Sequence, residues 1–230
     1  SSFNAIYYKD LSNQKAEIQK LIPTFEFEYD VIEKVDSRLL VKTNQKAARY
    51  KIISIDLKKP DPANWKTIVP ELPEGVMMDA WIFGQEYLLV KVQKDAAEFL
   101  KMYDLNGKEI RDIQMPVPGQ IAEVRGSRTE PVLYYTFTSF TFPSTIYSYH
   151  LKNGQNQLFF RPNLPIDLDQ FTTEQVFYPS KDGTRIPMFL VYKKGLPKNG
   201  ENPVYLYGYG GFNISVLPSF RASRLWWLEN

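Results

Sequence analysis

Apolar and polar residues alternate along much of the chain: Leu133, Tyr135 and Phe137 fall on one side, Tyr134, Thr136 and Thr138 on the other. A period of two predicts β-strands with one covered face and one open face. The alternation sits inside a longer repeat. Ile6-Tyr7-Tyr8-Lys9-Asp10-Leu11 matches Ile52-Ile53-Ser54-Ile55-Asp56-Leu57, then Leu100-Lys101-Met102-Tyr103-Asp104-Leu105, then Ile146-Tyr147-Ser148-Tyr149-His150-Leu151. The leucines lie 46, 48 and 46 residues apart, and Pro23, Pro70, Pro116 and Pro162 follow at 47, 46 and 46.

The second unit predicts strands at Tyr29–Glu33, Leu39–Thr43, Tyr50–Leu57 and Trp65–Val69. The third predicts Met77–Phe83, Tyr87–Val92, Glu98–Leu105 and Ile110–Met115, and the fourth Ile121–Val124, Val132–Thr138, Ile146–Leu151 and Gln157–Phe160. They are rich in β-branched and aromatic residues and are separated by turn pairs such as Asn106-Gly107 and Asn153-Gly154. Four strands in a period of this length predict propeller blades; superhelical repeats of similar length fail on the period-two pattern. Three and a half blades are present. Propellers close with roughly four to eight, so the chain is expected to be a piece of a longer protein, or to be completed by another chain.

The pattern breaks after Pro162, where Pro162–Asp167 reads as a linker. Glu174–Pro179 and Ile186–Tyr192 predict a hairpin around Asp182-Gly183, followed by a polar loop, Lys193–Asn202. Val204-Tyr205-Leu206 predicts a buried strand before the glycine-rich Tyr207-Gly208-Tyr209-Gly210-Gly211-Phe212, and Ser219–Glu229 reads as helix or strand, with helix the favoured reading. This order is the opening of an α/β domain.

Composition narrows the chemistry. The 230 residues are 43% hydrophobic and 15% aromatic, as in a globular protein. Net charge is +2 without a block of one sign, so neither nucleic acid nor an anionic membrane is an expected partner. No run is long and apolar enough to span a membrane as a helix. Cysteine is absent, which excludes thiolate catalysis and cysteine zinc sites here. That absence fits a reducing compartment, so a cytoplasmic location is expected, with the bacterial periplasm as the alternative.

The glycine-rich turn is the strongest chemical signal. A strand ending in such a turn can present backbone N–H groups and a phenol to a reacting carbonyl. A dinucleotide fingerprint would need glycine at position 213, where Asn213 stands, and no Gly-Lys-Ser/Thr follows for a phosphate loop. Asn213-Ile214-Ser215 is a formal glycosylation sequon, expected to be unmodified. His150 is the only histidine, but Asp10, Asp56 and Asp104 occupy its place in the other units, so a strand-end structural role is expected.

Three motifs carry a family resemblance. Phe177–Phe189 resembles the opening of the catalytic domain of the prolyl oligopeptidase family of serine peptidases, Tyr207–Ser215 its oxyanion segment, and Phe137–Tyr147 the last blade of its propeller. The dipeptidyl and acylaminoacyl peptidases share that architecture, but Gly208–Asn213 is closer to the prolyl branch. The resemblance implies a partial β-propeller over 1–162, followed over 163–230 by the first strands of an α/β-hydrolase domain. It implies that Tyr209 stabilises the oxyanion and that Phe212 lines the pocket for the substrate proline. It also implies short proline-containing peptides as partners, completion by the remaining parts of the enzyme, and no metal or cofactor. No Gly-x-Ser-x-Gly elbow occurs, so the serine, aspartate and histidine of the triad would lie beyond Asn230, and the chain alone is expected to be inactive. The competing reading is a non-enzymatic propeller that binds a partner.

Overall fold

The computed structural model describes residues 3–212 and 214–229. Chain contacts divide it into two compact units, Ser1–Val92 with Leu100–Asp112, and Gln93–Phe99 with Ile113–Asn230.

The chain begins with a two-stranded sheet, β1 (Ile6–Tyr8) and β2 (Gln19–Ile22). Three four-stranded sheets follow. The first is β3 (Tyr29–Val35), β4 (Arg38–Thr43), β5 (Lys51–Asp56) and β6 (Lys66–Val69). The second is β7 (Val76–Phe83), β8 (Tyr87–Lys94), β9 (Ala97–Asp104) and β10 (Glu109–Ile113). The third is β11 (Gln120–Gly126), β12 (Val132–Ser139), β13 (Phe142–His150) and β14 (Asn156–Phe160). Within each sheet, sequence neighbours are spatial neighbours, the meander expected of a propeller blade. All twelve strands read from the three full repeats form, and apart from β13 their bounds fall within two residues of the reading. β13 starts earlier because a register irregularity between Phe137 and Ser139 admits Pro143, which cannot donate to a ladder.

The repeat has a local cause. Asp10, Asp56 and Asp104 each accept a hydrogen bond through Oδ1 from the backbone N–H two residues on, at 3.0, 3.0 and 2.8 Å. These bonds turn the chain out of its strand. The Ser12 hydroxyl and then its amide hold the Asp10 carboxyl below its ordinary range, and the Lys58 amide does the same for Asp56. At the fourth position the turn is made by backbone instead, Gly154 N–H donating to His150 O at 2.8 Å. His150 Nδ1 is buried with no hydrogen-bond partner among the described residues.

In the first unit, β1 and β2 cover one face of the β3–β6 sheet. Ile6, Leu21 and Ile22 meet Tyr29, Leu39, Val41, Ile53 and Ile55 in one buried cluster. Asn4 closes the seam: its Nδ2 donates to Tyr29 O and its Oδ1 accepts from Tyr29 N–H, both at 2.8 Å. β4 is buried on both faces, as is most of β8, so their lysines need partners. Lys42 pairs with Asp30 at 3.1 Å and Lys91 with Asp79 at 2.9 Å, the same cross-strand pair in two successive blades. In the second unit, β12 keeps the predicted alternation as far as Phe137, with Leu133, Tyr135 and Phe137 buried and Tyr134 outward; Thr138, expected on the open side, is buried. The edge strand β14 is exposed at every residue.

After the linker and a 3-10 turn at Leu168–Gln170, β15 (Phe171–Pro179) and β16 (Arg185–Lys193) form a hairpin. It is longer than the reading at its outer end, beginning at Phe171 rather than Glu174. Its turn has Gly183 at φ +83° and Thr184 N–H donating to Asp182 Oδ1 at 3.0 Å. The Ser180 hydroxyl and the Thr184 amide hold the Asp182 carboxyl down at about 2. The helix expected near the end forms as α1 (Ala222–Glu229).

One expectation fails. Val204-Tyr205-Leu206 is not a buried strand: the run is irregular and 82%, 65% and 81% exposed. A strand needs a neighbour for its backbone groups. β15 and β16 pair with each other alone among the described residues, so nothing is paired with this run. Asn213, the sequon asparagine, lies outside the described residues.

Gly107 has φ +87°, and a Cβ there would sit 1.8 Å from the Ile68 carbonyl oxygen. Gly107→Ala is expected to cost about 3 kcal/mol or more, read from the urea unfolding midpoint. The Tyr103 hydroxyl is buried without a hydrogen-bond partner among the described residues, so Tyr103→Phe should raise stability by about 1 kcal/mol. Burial pushes the phenols of both Tyr103 and Tyr135 up to about 12, against about 10 in the unfolded chain. A raised folded value stabilises fully below the unfolded value and is lost as pH rises through the folded one. The unfolding midpoint should therefore fall between about pH 10 and 12, and less so in Tyr103→Phe; an equal fall in both proteins would remove Tyr103 from that account.

Candidate functional site

Phe140 and Thr141, at the corner between β12 and β13, organise the region after the linker. The Phe140 ring meets Phe189 of β16 edge-on at 5.5 Å, and Thr141 Oγ1 lies 3.4 Å from Thr173 Oγ1 of β15. The Arg224 guanidinium of α1 stands over the Phe140 ring at 5.3 Å, and its Nη1 donates to Ser219 O at 2.8 Å. Burial pulls the Arg224 group below its ordinary value. Phe220 N–H donates to Thr138 Oγ1 at 3.1 Å, and Leu225 is buried. One aromatic corner thus seats both the hairpin and the helix.

On the other side of the hairpin, Glu174 accepts from Lys198 Nζ and from the Tyr192 hydroxyl, each at 2.8 Å. The Lys198 bond, then the Tyr192 bond, hold its carboxyl below the usual range. The Lys198 ammonium also stands over the Tyr192 ring at 4.6 Å, so the polar loop folds back on β16.

Between these anchors runs the glycine-rich segment. Ile214 N–H donates to Gly211 O at 3.1 Å and closes a turn with Phe212 at φ +56°. Phe212 is 91% exposed and Tyr209 is 51% exposed. The Tyr209 phenol folds back over the turn: a Cβ at Gly211 would stand 3.0 Å from its oxygen. A larger residue at 211 would crowd that phenol. The structure therefore brings the two sequence-derived site residues onto one solvent-facing turn. A phenol is a neutral donor, and an exposed ring offers a flat apolar face. His150 stays with the β13–β14 turn, where Val132 is its partner in the ladder.

Sequence reasoning missed two side chains. Gln93 of β8 donates through Nε2 to Ser215 Oγ at 2.8 Å, and Gln175 of β15 donates through Nε2 to Asp95 O. Residues 122 positions apart leave no periodic signal, so no pattern in the chain could have paired Gln93 with Ser215.

Comparison with known proteins agrees with this architecture. The family model for the prolyl oligopeptidase N-terminal β-propeller domain matches residues 1–161. The prolyl endopeptidase of Elizabethkingia meningoseptica is 36% identical over 227 residues, covering 99% of this chain and 32% of its own length. A prolyl oligopeptidase of Omphalotus olearius is 35% identical over 205 residues, covering 87% of this chain and 27% of its own. A solved prolyl endopeptidase, studied for the role of inter-domain dynamics in catalysis and specificity, superposes with a TM-score of 0.90 at 36% identity. That match covers 99% of this chain and 33% of the solved one. Prolyl oligopeptidase B from Galerina marginata, bound to a 35mer hydrolysis and macrocyclization substrate, gives a TM-score of 0.90 at 26% identity, over 100% of this chain and 33% of the other. The chain spans about a third of the length of these relatives. With a blade meander matched to the family model over 161 residues, the chain belongs to the prolyl oligopeptidase family and carries part of its N-terminal β-propeller.

Proposed function

We propose that the chain is part of a serine peptidase that cleaves short peptides on the carboxyl side of proline. Residues 163–230 would open its α/β-hydrolase domain, with the Ser-His-Asp triad outside these residues. The observation that carries this reading is the shared turn of Tyr209 and Phe212, both solvent-facing, with the phenol folded over Gly211.

In acyl transfer, the attacking serine oxygen turns the scissile carbonyl into a tetrahedral oxyanion while a histidine takes the serine proton. The Tyr209 hydroxyl would donate to that oxyanion as charge develops on it. A neutral donor suits this task because it does not carry the desolvation cost of a charge into a water-poor site. The Phe212 ring would pack on the pyrrolidine of the substrate proline, where a flat apolar face favours a flat apolar ring. The propeller would cap the site and admit short peptides rather than folded proteins. The names of the matched relatives support the substrate class.

In the complete enzyme, Tyr209→Phe should lower kcat by roughly 10- to 1,000-fold with a smaller change in KM; an unchanged kcat would remove Tyr209 from the oxyanion role. His150→Asn should leave activity intact, and a loss beyond about tenfold without unfolding would give His150 a part in catalysis. The 230-residue chain alone should not turn over a glycyl-prolyl fluorogenic peptide. Turnover by material free of longer chains would place the nucleophile within these residues.

A further inference from the structure

The hairpin joining β8 to β9 turns at Asp95 and Ala96, both left-handed, at φ 50° and 58°. This two-residue geometry matches the twist of the strands it joins and fixes the direction of the tip. Two glutamine side chains bond at this tip. Gln93 Nε2 donates to Ser215 Oγ at 2.8 Å, and Gln175 Nε2 donates to Asp95 O. Ser215 directly follows the turn that carries Phe212 and closes at Ile214. Upstream, the backbone of 203–210 makes no backbone hydrogen bond among the described residues, so the lie of the turn depends on its anchors.

We infer that Gln93 is a positioning residue, which through Ser215 sets where the Tyr209–Phe212 turn lies. The inference rests on the oxyanion role proposed for Tyr209. An oxyanion donor works only within hydrogen-bond reach of the developing charge, and a displacement of about 1 Å is enough to cost rate. Loss of the Ser215 anchor lets the turn move, which lowers kcat more than KM.

The test is a double-mutant cycle in the complete enzyme, with amide exchange at Ile214, whose N–H bonds Gly211 O, as a second readout. Gln93→Met keeps the side-chain length and removes the donor; Ser215→Ala removes its partner. Each should lower kcat about 3- to 10-fold with KM within about twofold, and the double variant should be no slower than the slower single one. Gln93→Glu should retain the rate, because its carboxylate accepts from the Ser215 hydroxyl. Exchange at Ile214 should accelerate in Gln93→Met. Additive losses, or unchanged exchange in Gln93→Met, would overturn the anchor. Accelerated exchange together with an unchanged kcat in Tyr209→Phe would keep the anchor and remove the oxyanion role instead.

Discussion

A sheet of four strands has two faces to cover and two edges to satisfy, and most of this structure answers that constraint. The first unit shows the solution at its simplest. A half-blade of two strands lays Ile6, Leu21 and Ile22 onto Tyr29, Leu39, Val41, Ile53 and Ile55, and the Asn4 side chain stands in for a missing ladder residue. Burying both faces of β4 leaves Lys42 inside, and Asp30 answers it across the strand pair. The pair recurs as Lys91 and Asp79 because the same geometry poses the same problem.

The strands were legible because period-two alternation survives wherever one face is open and the other covered, as along β12. The repeat was legible for a different reason. An aspartate at each strand end bonds the backbone two residues on, so the mark at Asp10, Asp56 and Asp104 is local chemistry rather than packing. The hairpin was equally local, written in Asp182 and Gly183. Val204-Tyr205-Leu206 was misread because apolar character sets a preference for burial but cannot supply a neighbouring strand.

At the candidate site, the residues on the turn could be named from the chain, and their surroundings could not. Tyr209 and Phe212 stand out through the glycines between and before them. What holds that turn comes from elsewhere: Gln93 and the Thr138–Thr141 corner lie far back in the propeller sequence. Anchors of this kind depend on how the fold returns to itself, and single side chains separated by tens of residues carry no period to find.

The exposed edge strand β14 has a consequence for handling the protein. Leu158, Phe159 and Phe160 stand exposed along a strand whose outer side is unpaired among the described residues. Such an edge is a template for a further strand from any chain that meets it. A preparation of these residues alone would accordingly be governed by concentration: β14 favours edge-to-edge association between copies, and dilution or a charged substitution at Phe159 would oppose it.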